Sequence, residues 1–133
     1  MTLSLLAAAL LSQPSASDTF TARQLHDGCV RFLAGHSASP SETAPQAMES
    51  ATCEASMALQ LASHAAIDAI GDSEPGTRQT YCPPESVLSS DDSSQTLARA
   101  YVAWFEHHPA EQNMPDAGAA LDRALAETWP CPH

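Results

Sequence analysis

The side chains best suited to chemistry in this sequence are four cysteines and two groups of histidine. His107 and His108 adjoin, and Cys131-Pro132-His133 closes the chain. Both look like metal-ligand sets, yet neither has metal-site spacing. Neighbouring residues on a helix point in different directions, so His107 and His108 make a poor pair of ligands. His108 is expected to pack near Phe105 or to cap its helix end, where a cation suits the dipole. A cysteine held in a disulfide is no thiolate ligand, which removes Cys131 from a metal reading. We therefore expect no metal, no cofactor and no catalytic residue. The sequence contains no Gly-x-Ser-x-Gly, Cys-x-x-Cys, phosphate-binding glycine loop or His-Glu-x-x-His. Nothing groups its serines, histidines and acids into nucleophile, base and orienter.

The cysteines have a different chemistry. Cys29, Cys53, Cys82 and Cys131 are even in number, and an apolar stretch, Leu3 to Leu11, opens the chain. That run is about half of what spans a bilayer. Ser15, Ala16 and Ser17 follow it and suit a signal peptidase. Residues 1–17 read as a signal peptide and 18–133 as a single domain. Only Met1 and Thr2 precede the run, so the usual positive n-region is missing. No later stretch is long and charge-free enough for membrane insertion. Paired cysteines behind an export signal imply disulfides in an oxidising compartment.

The formal charge is −11 and there is no lysine. Such a surface repels phosphate backbones and excludes nucleic acid as a partner. It would either steer toward a basic protein surface or simply keep the chain in solution. Apolar residues make up 44%, many of them alanine. Alanine favours helix but buries little area, so the core should be thin and covalent staples useful.

Periodicity places four helices. The first runs from about Thr21 to Ala34, with Leu25, Cys29, Phe32 and Leu33 on one stripe and Gly35 as its stop. The second runs from about Met48 to Ile70. Its apolar groups on all sides suggest a central helix or one facing a second subunit. The third runs from about Asp91 to His108, capped by Ser89 or Ser90. Leu97, Tyr101, Trp104, Phe105 and His108 share its face, a core stripe in preference to an exposed aromatic anchor. The fourth begins behind Asp116 as N-cap and ends at Pro130. No alternating strand pattern is present. The fold class is therefore all-α: a small antiparallel four-helix bundle stapled by two disulfides. In that topology Cys29 and Cys53 meet at one end, Cys82 and Cys131 at the other. Cys29–Cys53 and Cys82–Cys131 is the pairing within disulfide reach.

The segments Tyr81-Cys82-Pro83, Tyr101-x-x-Trp104-Phe105-x-x-His108-Pro109 and Trp129-Pro130-Cys131 occur in that order. With Cys29 in the first helix and Cys53 opening the second, this pattern resembles the Rap/Tai family of bacterial immunity proteins over about residues 20–131. The chain departs from that pattern after Cys53. Members usually carry Gly-Tyr-aliphatic-x-Gly there, and this sequence has Glu54-Ala55-Ser56-Met57. The resemblance implies an all-α periplasmic protein, often a homodimer. Its partner would be a cognate peptidoglycan amidase effector delivered by type VI secretion. The immunity protein would block that toxin by covering its active-site groove, in part with the connection between the third and fourth helices.

That connection, His107 to Pro115, is the candidate partner-binding segment: His107, His108, Glu111, Gln112, Asn113 and Met114. It is polar and bounded by prolines, which lower the ordering cost of binding. The plain alternative is an ordinary interhelical turn. At the level of the whole protein, the alternative is a small exported envelope protein of the same family that binds another partner, with no toxin role.

Overall fold

The computed structural model describes residues 20–35, 42–71 and 76–132. The expected signal peptide, residues 1–17, lies outside them, as does His133. The described residues are helical, with no strand among them. The helices are α1 (Ala22–Leu33), α2 (Ala44–Ile70), α3 (Glu85–Leu88), α4 (Ser93–His107) and α5 (Ala117–Thr128). A 3-10 turn, Pro109–Glu111, sits between α4 and α5.

Local signals start these helices. Thr21 caps α1 by accepting from the Gln24 N–H at 3.1 Å, and the Gln24 side chain accepts from the Thr21 N–H at 2.9 Å. Thr43 and Gln46 repeat this reciprocal capping box at the head of α2. This is why α2 begins four residues before Met48: the Thr43-x-x-Gln46 box, with Pro45 in the first turn, adds another turn. Gly35 takes φ +74° just past α1, a left-handed stop that favours glycine. Asp116 caps α5, accepting from Gly118 N at 2.9 Å and Ala119 N at 3.3 Å.

The start of the third expected helix needs correction. Pro84 is followed by one separate helical turn, α3, and the Ser89 hydroxyl donates back to the Glu85 carbonyl at 2.8 Å. Ser89 therefore closes α3 and does not cap α4. Asp92 holds the N-cap position of α4 without a side-chain capping bond, and the Ser90 hydroxyl donates to its carboxylate. That hydrogen bond, more than Arg99, holds the Asp92 carboxyl below its ordinary range.

The expectation of a central α2 is also corrected. The centre belongs to α4, which packs against α1, α2, α3 and α5. Its Leu97, Ala98, Tyr101, Trp104 and Phe105 are buried, so the aromatic stripe is core. α1 fits against α2, α4 and α5 through Ala22, Leu25 and Cys29. α5 contributes Ala117, Ala120, Leu121, Ala124 and Leu125. α2 buries only one stripe, Ser50, Cys53, Met57 and His64.

The disulfides are Cys29–Cys53 (Cα–Cα 5.2 Å) and Cys82–Cys131 (Cα–Cα 4.9 Å). The first fixes α1 against α2 where their backbones nearly touch: a Cβ added at Gly28 would lie 2.2 Å from the Glu49 carbonyl oxygen. The second ties the strap before α3 to the end of α5, beside a Cys82 N–H to Trp129 carbonyl bond of 2.8 Å. In the chain-entropy account these bridges contribute about 3.5 and about 4 kcal/mol.

Two tyrosines tie loops and helix ends to the core. The Tyr101 hydroxyl, fully buried, donates to the Ala22 carbonyl at 2.6 Å. The Tyr81 hydroxyl donates to the Gln60 carbonyl at 2.9 Å. Burial, and secondarily the Asp122 charge, pushes Tyr81 up to about 12. Tyr101 is raised too, by burial first and Asp27 second. An unfolded tyrosine ionises near 10, so above that pH the unfolded chain releases protons that the folded one retains.

Two outcomes follow from this packing. Gly28→Ala should cost about 1–3 kcal/mol by forcing α1 from α2, read as a fall in the urea midpoint. Stability should be insensitive to the tyrosines below about pH 10 and fall as pH rises from there through about 12. Phenolate absorbance should then appear together with loss of helix by circular dichroism. Full phenolate absorbance on an intact fold would contradict it.

Candidate functional site

The connector between α4 and α5 is ordered by bonds from three directions. The Gln112 carboxamide donates to the Phe105 carbonyl at 3.1 Å, which also accepts from the His108 N–H at the end of α4. The Met114 carbonyl accepts from Ala22 N at 3.1 Å, and the Phe20 carbonyl accepts from Ala117 N at 2.8 Å. The head of α1 thus brackets the connector on its far side. Glu111 faces Arg123 of α5 at 3.6 Å. Prolines 109 and 115 fix φ at both ends.

These bonds sort the six candidate residues. Met114 turns in and packs against the core. Glu111 and Gln112 are part-buried and committed to Arg123 and Phe105. His107 and Asn113 are exposed, as are Pro109 and Ala110 between them. The outward surface is therefore uncharged apart from the histidine, and smaller than the sequence suggested.

His107 and His108 both use Nδ1 on the carbonyl four residues back, Ala103 and Trp104, each at 2.7 Å. A carbonyl only accepts, so each Nδ1 carries the proton. Of the two places expected for His108, it takes the helix end: it is the C-cap of α4, and its ring stacks on Trp104, with centroids 4.8 Å apart, and not on Phe105. The place on Phe105 is taken by His26 of α1, stacked at 4.2 Å, with Asp27 at 3.0 Å and Glu106 at 3.3 Å from its ring nitrogens. Among the described residues no group of three or more His, Cys, Asp or Glu side chains converges as a metal ion requires.

Beside the connector, the last turns of α4 and α5 enclose an open groove of about 420 Å³. Trp104 forms its floor, Ala100 and Ala103 one wall, His107, His108 and Glu127 the rim. Glu127 organises the rim. Its carboxylate accepts from the Trp104 indole N–H and lies 3.4 Å from His108 Nε2 and 3.6 Å from Arg123. Arg123 also sits over the Trp104 ring at 5.9 Å and reaches Glu111. One carboxylate thus couples the groove to the connector.

Sequence reasoning missed Glu127 and Arg123. Their signal was present as two four-residue spacings: Arg123 to Glu127, and Trp104 to His108. Nothing local revealed that these two helical pairs face each other. Glu127→Ala should leave the buried indole N–H unpaired and cost about 1–3 kcal/mol, with Glu127→Gln costing less because it keeps an acceptor. Urea unfolding followed by tryptophan fluorescence measures both.

Among the described residues no helix is long and apolar enough to cross a membrane. Compared with known proteins, the chain matches no family model, no curated protein and no solved structure.

Proposed function

We propose that this protein is a non-enzymatic immunity-type inhibitor of the periplasm that binds a peptidoglycan amidase toxin delivered by type VI secretion and occludes its active site. The observation that carries this reading is the α4–α5 connector. It projects a short surface free of carboxylates, His107 with Pro109, Ala110 and Asn113, from a turn bonded at Phe105, Ala22 and Arg123. A segment held this way enters a groove without a large ordering cost, as inhibitory loops must. The sequence motifs around Cys82, His108 and Cys131 give the class of partner, through the family they resemble. Two disulfides suit an oxidising compartment.

The charge of −11 supports a basic partner surface around the groove. The connector supplies contact, and the surrounding carboxylates supply approach.

A pull-down from periplasm with the mature chain should recover a small amidase, and co-expression should rescue cells from it. The double variant His107→Ala, Asn113→Ala should bind that enzyme roughly tenfold more weakly, with an unchanged melting temperature, since neither side chain is buried. Recovery of no amidase and no rescue would overturn the reading. Unchanged affinity of the double variant would remove the connector from the mechanism.

A further inference from the structure

α2, α3 and the head of α4 enclose a cavity of about 230 Å³ at the end of α4 away from the connector. Leu61 and Ala65 of α2 and Leu88 of α3 are its apolar walls. Its polar groups are His64 and Asp68 of α2, Glu85 of α3 and Ser93 of α4. His64 is the unusual member, being only 6% exposed. Buried polar groups are normally hydrogen-bonded. Among the described residues the His64 ring makes no hydrogen bond, and its nearest acid is Asp68, with Oδ2 3.6 Å from Nδ1. The ring is not sealed, however. Among the described residues the one side-chain nitrogen or oxygen both sealed and unpartnered is Glu42 Oε1. The opening that His64 meets is this cavity.

Two neighbours hold these groups in place. The Gln79 carboxamide donates to Asp68 Oδ1 at 2.7 Å and to the His64 carbonyl at 2.8 Å. The Tyr81 ring lies tilted against His64, centroids 5.1 Å apart, with its hydroxyl anchored on the Gln60 carbonyl. A binding site needs such support if its polar groups are to stay in position.

The hydrogen-bonding inventory selects the ligand. A carboxylate only accepts, so the proton of neutral His64 belongs on Nδ1 beside Asp68, and Nε2 is left with a lone pair. Asp68 and Glu85 are acceptors, and the Ser93 hydroxyl can accept. No lysine or arginine lines the cavity. We infer that it binds a small primary ammonium carried on an alkyl stem. The head brings one positive charge and three N–H donors to a set of acceptors, and the stem lies along Leu61, Ala65 and Leu88. Two carboxylates repel an anion. A bare metal ion needs a convergence of acids and histidines that the described residues do not make. A drug-sized molecule needs more than 230 Å³. The chain has no lysine, so no ammonium side chain of its own competes. The inference stands on α2, α3 and the head of α4, and is independent of the connector.

Nuclear magnetic resonance of the intact, disulfide-bonded chain at neutral pH tests it, with n-pentylamine as the probe. The amine should shift the His64 ring signals and the Leu61, Ala65 and Leu88 methyl signals together, with a Kd of about 1 mM. n-Pentanol lacks the charge, and pentyltrimethylammonium keeps the charge without an N–H. Each should bind roughly tenfold more weakly. Asp68→Asn keeps an acceptor for Gln79 and removes the charge. It should weaken amine binding by roughly tenfold with the melting temperature unchanged. Glu54→Gln, which removes a charge elsewhere on α2, should leave binding as it was. Nα-acetyl-lysine methylamide separates two sources of the same head group. Shifts at the same methyls mean that a lysine side chain of another protein fits, and shifts with pentylamine alone mean that the cavity takes a free amine. No shift at His64 up to about 20 mM pentylamine would overturn the inference. So would equal binding of the alcohol or the quaternary ion, or an equal loss in Asp68→Asn and Glu54→Gln.

Discussion

Alanine supplies five of the sixteen buried apolar residues described, and a core with that share of alanine holds together only where backbones come close, a constraint on the whole protein. An alanine reaches little beyond its own Cβ, so the helix carrying it must lie near its neighbour for the contact to exist. Ala22 and Ala98, and the Ala117, Ala120 and Ala124 row of α5, are all buried on these terms. The extreme case is Gly28, where α1 lies so near the Glu49 carbonyl that no Cβ fits. α4 adds the bulky Tyr101, Trp104 and Phe105, which fill what the alanines leave open. Disulfides flank this arrangement and cover its weakness. They constrain the unfolded chain where the hydrophobic term is small.

The same constraint explains which parts of the fold were legible in the sequence. The bodies of the helices were, because periodic apolar positions survive any detail of packing. The cysteine pairing was too, since two ends of an antiparallel bundle leave one arrangement within reach. The start of α2 was not, because Thr43-x-x-Gln46 lies in a stretch whose composition reads as loop. The extra turn of α3 was also missed, its four residues being too few to show a period. The centrality of α4 over α2 depended on which faces meet. An alanine looks alike in sequence on a buried face and on an exposed one.

The candidate site was legible by location and not by wiring. Bounding prolines and polar residues marked the connector. They did not reveal that Gln112 caps the Phe105 carbonyl, that Met114 turns inward, or that Ala22 reaches across to hold the turn. The Ala22 contact joins residues far apart in the chain and depends on the docking of the head of α1 beside the connector. The Glu127 hub has the same character: two ordinary four-residue helical pairs become one network only when their helices pack.

The order of the cysteines has a consequence for how the chain matures. Each bridge joins a cysteine to the next one in sequence, Cys29 to Cys53 and Cys82 to Cys131. In a chain that emerges N-to-C into an oxidising compartment, the second thiol to appear is the correct partner of the first, and the fourth of the third. An oxidant that joins thiols in order of appearance makes only native bonds. Maturation therefore requires oxidising equivalents and no reshuffling, and the first clamp can close before α4 has emerged.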